Sequence, residues 1–200
     1  NVQGPMPRGQ FVQFNTCSGA GNEISGNKGE NFPGECDPAD LISIFKSSGT
    51  AASPILVKNN MFRGGGTLVS GGGIVAGDYG GNYTTIDGNT LHTPGNYGIA
   101  IAGGSYNMII NNKVFSLQTP ISNSSIHIWE QSGSVCSNNT IKSNRVYWIN
   151  KLGVFNDGWN AQNCTNTVWE YPTRITESEL NMPVHLIDFI TPTELLTIRK

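Results

Sequence analysis

At 200 residues, the chain is long enough for one core; its net charge of −2 and pI near 5.9 leave no basic footprint for nucleic acid or an anionic membrane. Only 13% of residues are charged against 25 glycines, a composition that excludes a helix-rich protein, and no apolar run reaches the length of a membrane span. The four cysteines, Cys17, Cys36, Cys136 and Cys164, include no CxxC pair, so a zinc site is not expected.

Residues 1 to 40 hold "GPMPRG" and "GENFPGECDPAD", Pro- and Gly-rich loops around a first strand at "FVQF". The chain opens at Asn1 with neither an initiator Met nor a leader, which reads as a processed form or a piece of something longer. From residue 41 to 150 two families of short strands alternate. The first is "LISIF", "GIVAG", "GIAIA" and "SIHIW"; aligning Ile42, Ile74, Ile99 and Ile126 also aligns Ile44, Ala76, Ile101 and Ile128. Apolar residues at every second position mark strands with one face inward. The second family carries a cadence: Ile24, Val57, Ile86, Ile109 and Ile141 are each followed three residues later by an asparagine, at 27, 60, 89, 112 and 144.

Strand, turn and strand at a repeat of 20 to 50 residues predict a solenoid. Stacked coils would bring equivalent asparagines about 4.8 Å apart, where their amides can pass hydrogen bonds from coil to coil. Asparagine also tolerates the left-handed backbone of a tight turn. Unrelated Asn-rich hairpins of a β-sandwich are the alternative, disfavoured because five matches share one offset. From about residue 151 the cadence stops, and "GVFNDGWNAQNCTNTVWEYPTR" reads as an aromatic-rich loop pinned by Cys164. Residues 1–150 are thus expected to form the coils and 151–200 a C-terminal loop and cap of the same domain. Helix signals come only at the end, in "TPTELLTIRK" with Thr191 as N-cap, Pro192 and Glu194, and more weakly in "TESEL" from Thr176. A tail helix would cover the open edge of the last coil.

Local pairing of the cysteines predicts disulfides Cys17–Cys36 and Cys136–Cys164, with the other two connectivities left open and four buried free thiols as a further alternative. Asn-X-Ser/Thr triplets at Asn82, Asn123, Asn138 and Asn163 read as accidents of composition.

The segments "LVKNNMF", "TIDGNTL", "IINNKVF" and "TIKSNRV" resemble coils of the right-handed parallel β-helix proteins, the pectate-lyase-like superfamily. The resemblance covers roughly residues 10 to 150 and implies an all-β, right-handed parallel β-helix solenoid. It also implies a secreted or cell-surface protein that binds or processes polysaccharide. Lyases, hydrolases, esterases, epimerases, tailspikes and non-catalytic surface proteins share this fold, so activity has to come from the site. The lyase pattern of calcium carboxylates on adjacent coils, the polygalacturonase aspartate trio and the esterase Asp–Arg arrangement are all absent from this sequence.

The same alignment of inward residues sets Lys46, Asp78, Gly103 and Glu130 in one column just beyond the first family of strands. Asp78 and Glu130, two coils apart, would approach the separation of about 6.5–9.5 Å used in inverting glycoside hydrolysis. Lys46 is a candidate base, with Arg63 to neutralise a uronate carboxylate by analogy with the superfamily. His127 and Trp129 are expected to face outward as a sugar-stacking surface. Turn-forming carboxylates and a solvated Lys46–Asp78 pair are the architectural alternative. No cofactor is expected, although Glu30, Glu35, Asp37 and Asp40 form a weak candidate calcium cluster. Two functions remain: a polysaccharide lyase or hydrolase, with acidic, uronate-containing glycan among its candidate substrates, and a non-catalytic surface or structural module or fragment.

Overall fold

The computed structural model describes residues 8–32, 34 and 36–183. Among the described residues, twenty short strands wind into a parallel solenoid. Coil 1 holds β1 (Gln10–Asn15), β2 (Glu23–Ser25) and β3 (Lys28–Glu30), and coil 2 holds β4 (Asp40–Phe45), β5 (Ile55–Lys58) and β6 (Met61–Arg63). Coil 3 comprises β7 (Gly72–Asp78), β8 (Thr84–Asp87) and β9 (Thr90–His92). Coil 4 has β10 (Tyr97–Ile101), β11 (Gly104–Ser105), β12 (Met108–Ile110) and β13 (Lys113–Ser116). Coil 5 has β14 (Ser124–Ile128), β15 (Cys136–Ser137), β16 (Thr140–Lys142) and β17 (Arg145–Trp148). The sixth set is β18 (Gly158–Asn160), β19 (Val168–Trp169) and β20 (Thr173–Arg174).

Stacking these coils makes three six-stranded sheets. The first runs β1-β4-β7-β10-β14-β18, the second β2-β5-β8-β12-β16-β19 and the third β3-β6-β9-β13-β17-β20. From β1 to β18 the chain completes about five turns, as the repeat predicts. The inward isoleucines meet in register, Ile42↔Ile74↔Ile99↔Ile126, and fill one core with Val57, Ile86, Leu91, Ile109, Val114 and Val146. The aromatic-rich segment after residue 150 combines loops with the three short strands of the sixth set. Its cadence stops because Trp169 pairs with Ile141, which puts Pro172, with no side-chain amide to offer, over Asn144.

The asparagine ladder forms as expected. Asn27 Nδ2 donates to Asn60 Oδ1, Asn60 to Asn89, Asn89 to Asn112 and Asn112 to Asn144, all at 2.9–3.0 Å. Each Oδ1 also accepts the backbone N–H of the asparagine one coil earlier. The three-residue offset has a direct cause: Asn60, Asn89, Asn112 and Asn144 each donate back to the carbonyl of the Ile or Val that starts the previous coil's cadence. One part of the expectation is corrected. The left-handed residue is not the ladder asparagine but the one before it: Gly26, Asn59, Gly88, Asn111 and Ser143, with φ between 54° and 65°. The ladder position is occupied for its amide, and its neighbour makes the bend.

A second, shorter stack lies at the corner between the first and second sheets. Asn107 N–H donates to Asn139 Oδ1 at 2.8 Å, and the two amides reach the carbonyls of Gly81 and Gly104 at 3.0 Å each. Its signal was an asparagine two residues before Ile109 and Ile141.

Cys136 and Cys164 form the expected disulfide, their Cα atoms 4.7 Å apart across one coil. Cys17 and Cys36 do not bond to each other. Cys17 lies beyond the end of β1, its thiol donating weakly to the Asn15 carbonyl at 3.8 Å, whereas Cys36 precedes β4 at the opposite end of the first sheet. A strand length on the order of 15 Å separates those corners, far beyond the Cα spacing of roughly 4.4–6.8 Å a disulfide tolerates. Proximity in sequence misled because neighbours in a solenoid are one coil apart, not one loop apart. Cys17 instead stacks on Ser47, whose Oγ accepts its N–H at 3.0 Å, in the same corner column as Cys136 and Cys164. Ser47→Cys is therefore expected to pair with Cys17 and stabilise the first coils by about 3 kcal/mol. Peptide mapping without reduction should find the bond; two free thiols at these positions would refute the stacking.

After β20 the chain crosses the outer face of the third sheet. A 3-10 helix, Glu177–Leu180, starts where "TESEL" predicts, with Glu179 Oε2 accepting from Thr176 N–H at 2.8 Å. Leu180 is buried against Phe115 and Ile175, Glu177 pairs with His92 at 2.9 Å, and Glu179 pairs with Arg145. The helix expected at Thr191 lies outside the described residues.

Candidate binding groove

On the first sheet, side chains facing away from the core form a second apolar cluster of Val75, Tyr97, Ala100 and Ala102, with Trp129 packed against it. The glycine at position 72 builds one end of it. A Cβ there would lie 2.6 Å from the Tyr97 ring, so only glycine lets that ring cross coil 3. The Tyr97 hydroxyl thereby reaches Asp40 on coil 2 and donates a short hydrogen bond to Oδ1, which also accepts Gly72 N–H at 3.1 Å. Burial, with the Asp78 charge adding to it, raises the Asp40 carboxyl to about 6 in spite of those two donors. Burial, together with the carboxylates of Asp40 and Asp78, holds the Tyr97 phenol well above its ordinary range.

Aromatic rings continue the surface. His127 meets Tyr97 at 5.0 Å, Trp129 at 4.6 Å and Trp159 at 6.1 Å between centroids. The sequence expectation for His127 is half met: it lies on the outward face, opposite the core-facing Ile126 and Ile128, yet it is only 5% exposed. Its neighbours' rings cover it, so it supports the surface rather than forming it. Burial holds its imidazole down at about 3, and its Nδ1 has no hydrogen-bond partner. Trp129 is half-buried, while Trp159 and Tyr79 are 47% and 55% exposed.

The predicted column meets a slip in register. Gly77 is an extra residue with φ 75°, and it shifts the register so that Asp78 pairs with Phe45 rather than with Lys46. Lys46 makes no ion pair with Asp78; its ammonium stands over the Phe45 and Tyr79 rings, 5.3 and 5.2 Å from their centroids. Asp78 is half-buried, and desolvation raises its carboxyl against the Tyr79 N–H and the Lys46 charge. Gln131 Nε2 crosses from the turn after β14 to donate to Asp78 Oδ1 at 3.3 Å. Glu130 lies in that same turn, its N–H bonded to Asn163 Oδ1 at 3.0 Å and its Oε1 buried with no hydrogen-bond partner.

Arg63 does not join this group. It lies on β6 of the third sheet, 3.5 Å from Glu30 and donating to the Pro183 carbonyl at 2.6 Å. Strands facing different sides of one coil cannot share a groove. Of the candidate calcium carboxylates, Glu35 lies outside the described residues and the other three are dispersed: Glu30 faces Arg63, Asp37 accepts from Thr67, and Asp40 from Tyr97. Among the described residues no three His, Cys, Asp or Glu side chains gather as a metal site.

Tyr97, Gln131 and Trp159 were not among the sequence candidates, and Asp40 was one only as part of the weak calcium cluster. Two of them had a signal. The alignment of Ile42, Ile74, Ile99 and Ile126 also stacks Asp40, Gly72, Tyr97 and Ser124, and a glycine between a carboxylate and a tyrosine marks a ring crossing one coil.

Parallel coils, a continuous asparagine ladder and three stacked sheets define a right-handed β-helix. A family described as the right handed beta helix region matches residues 11–170, and the chain belongs to that family. No curated protein and no solved structure matches the chain.

Proposed function

We propose that this is a secreted or cell-surface β-helix protein that binds polysaccharide along the outer face of its first sheet. The observation that carries the reading is the ring surface of Trp129 and Trp159 around His127, on the sheet that also carries Asp40 and Asp78. Rigid aromatic faces offer stacking area to a sugar ring at little entropic cost, and carboxylates orient its hydroxyls. A disulfide across two coils is compatible with an extracellular protein, and no described helix is long and apolar enough to cross a membrane.

Processing is the second step of the proposal. Carboxylates held at different environments on one face suit acid–base chemistry at a glycosidic bond, with Asp78 and Glu130 as the pair and Lys46 beside them. Binding without turnover is favoured by a different observation: Asp40 and Asp78 already accept hydrogen bonds from Tyr97, Gly72 and Gln131. Affinity electrophoresis over polyuronates and neutral glycans tests the binding. New reducing ends and ultraviolet-absorbing unsaturated products, followed in the same samples, test the turnover. Trp129→Ala is expected to weaken binding about tenfold, roughly 1.4 kcal/mol, with the melting temperature nearly kept. Asp78→Ala should abolish any turnover while binding survives. Unchanged affinity in Trp129→Ala would move the ligand off this face.

A further inference from the structure

The three sheets divide charge unevenly. The six strands of the first sheet, QFVQFN, DLISIF, GGIVAGD, YGIAI, SSIHI and GWN, contain Asp40 and Asp78 and no lysine or arginine. The third sheet carries Lys28, Arg63, Lys113, Arg145 and Arg174 in strands of similar length. One exposed cation, Lys46, borders this face and partly offsets the charge of Asp78. The Lys46 ammonium lies over two aromatic rings beyond the end of β4, and Arg63 is committed to Glu30 and Pro183 on the third sheet. His127 supplies no positive charge, because burial keeps its imidazole neutral at physiological pH, with Nδ1 lacking a partner inside the ring cluster.

We infer that the groove selects a glycan that presents hydrogen-bond donors and no anionic groups, hydroxyl-rich or amine-bearing, and that it rejects polyuronates. This rests on the glycan reading above and names the substrate class for it. The physical reason is desolvation. Asp40 and Asp78 are acceptors on a partly buried face, where a sugar hydroxyl or ammonium restores the donors they lose with water. A uronate carboxylate would bring a further negative charge to a face that already carries Asp40 and Asp78, both of them partly desolvated. Like charges juxtaposed at an interface repel, which is how such surfaces discriminate. Tyr97 reinforces the preference, since its single O–H is committed to Asp40 and does not point a donor at an incoming anion.

The experiment compares three hexasaccharides on the intact protein by calorimetry at low ionic strength: hexamers of xylose, of glucosamine and of galacturonate. The expected result is binding of the first two, with galacturonate at least tenfold weaker. A glucosamine advantage that fades with added salt identifies ammonium groups as the donors, and equal affinity for the two identifies hydroxyls. In the Asp40→Asn, Asp78→Asn double variant the galacturonate gap should narrow severalfold, while circular dichroism confirms that the coils remain. Galacturonate binding as tightly as xylose, or a gap unmoved in the double variant, overturns the charge selection and leaves the glycan reading standing. Binding of no hexamer removes the glycan reading itself.

Discussion

Asn89→Ala is expected to destabilise the protein by about 3–5 kcal/mol, a cost typical of breaking a buried hydrogen-bond network. Asn89 is fully buried at the middle of the ladder. Its Oδ1 accepts Asn60 N–H and Nδ2, and its Nδ2 donates to Val57 O at 2.8 Å and to Asn112 Oδ1 at 2.9 Å. Alanine removes these bonds, together with the one from Nδ2 to the Asp87 carbonyl at 3.3 Å, and strands two donors of Asn60 in the interior. Asn27→Ala is the matched control. It ends the ladder at an exposed position, so its loss should cost under about 1 kcal/mol. Urea denaturation of both variants at neutral pH measures the difference. Equal costs would mean that the amides merely decorate a structure held by its apolar core.

The pH dependence of stability should show a second large effect, in which two groups on one face oppose each other. Burial holds His127 at about 3, below its ordinary 6.5. Between those values the unfolded chain binds a proton that the folded chain refuses. The stability tied to His127 is therefore full above 6.5 and lost as pH falls toward 3. Asp40 acts in the other direction. Its folded carboxyl titrates at about 6 against an ordinary 3.8, so the folded chain keeps a proton that the unfolded chain has released. That contribution is full below 3.8 and lost as pH rises through 6. From pH 7 to 4 the first loss amounts to about 3 kcal/mol and the second gain to about 2 kcal/mol.

Wild-type stability should thus vary little on their joint account. Asp40→Asn keeps an acceptor for Gly72 and Tyr97, and it should make the fall between pH 7 and 4 steeper by about 2 kcal/mol. His127→Phe, which fits a slot between rings, should make it shallower by about 3 kcal/mol. Denaturant curves at four pH values across this range check both. Three parallel profiles would show that neither group is shifted in the folded protein.

The solenoid was legible because its physics is local and repeated. Each Ile-x-x-Asn unit names one inward residue and one amide, and stacking them requires nothing beyond the repeat. The groove was only partly legible. Asp78, Glu130 and Trp129 came from aligning inward residues, and the structure places them at one end of the first sheet. Lys46 slipped by one because Gly77 inserts a bulge, which a single glycine in "VAGDYGG" does not announce. Arg63 failed for another reason: its distance along the chain said nothing about which of three sheets it would join.

The sequence by itself determined the architecture. Periodic apolar residues choose an inward face, and asparagines at a fixed offset choose the stacking, because buried amides must find partners on the neighbouring coil. Tertiary structure alone decided which residues meet across coils. Tyr97 reaches Asp40 only over Gly72, Gln131 reaches Asp78 only over coil 4, and Cys17 meets Ser47 rather than Cys36. Residues one coil apart touch whatever their separation in the chain, and coil length varies with every loop. The register that converts sequence into contact is therefore set by packing the whole stack.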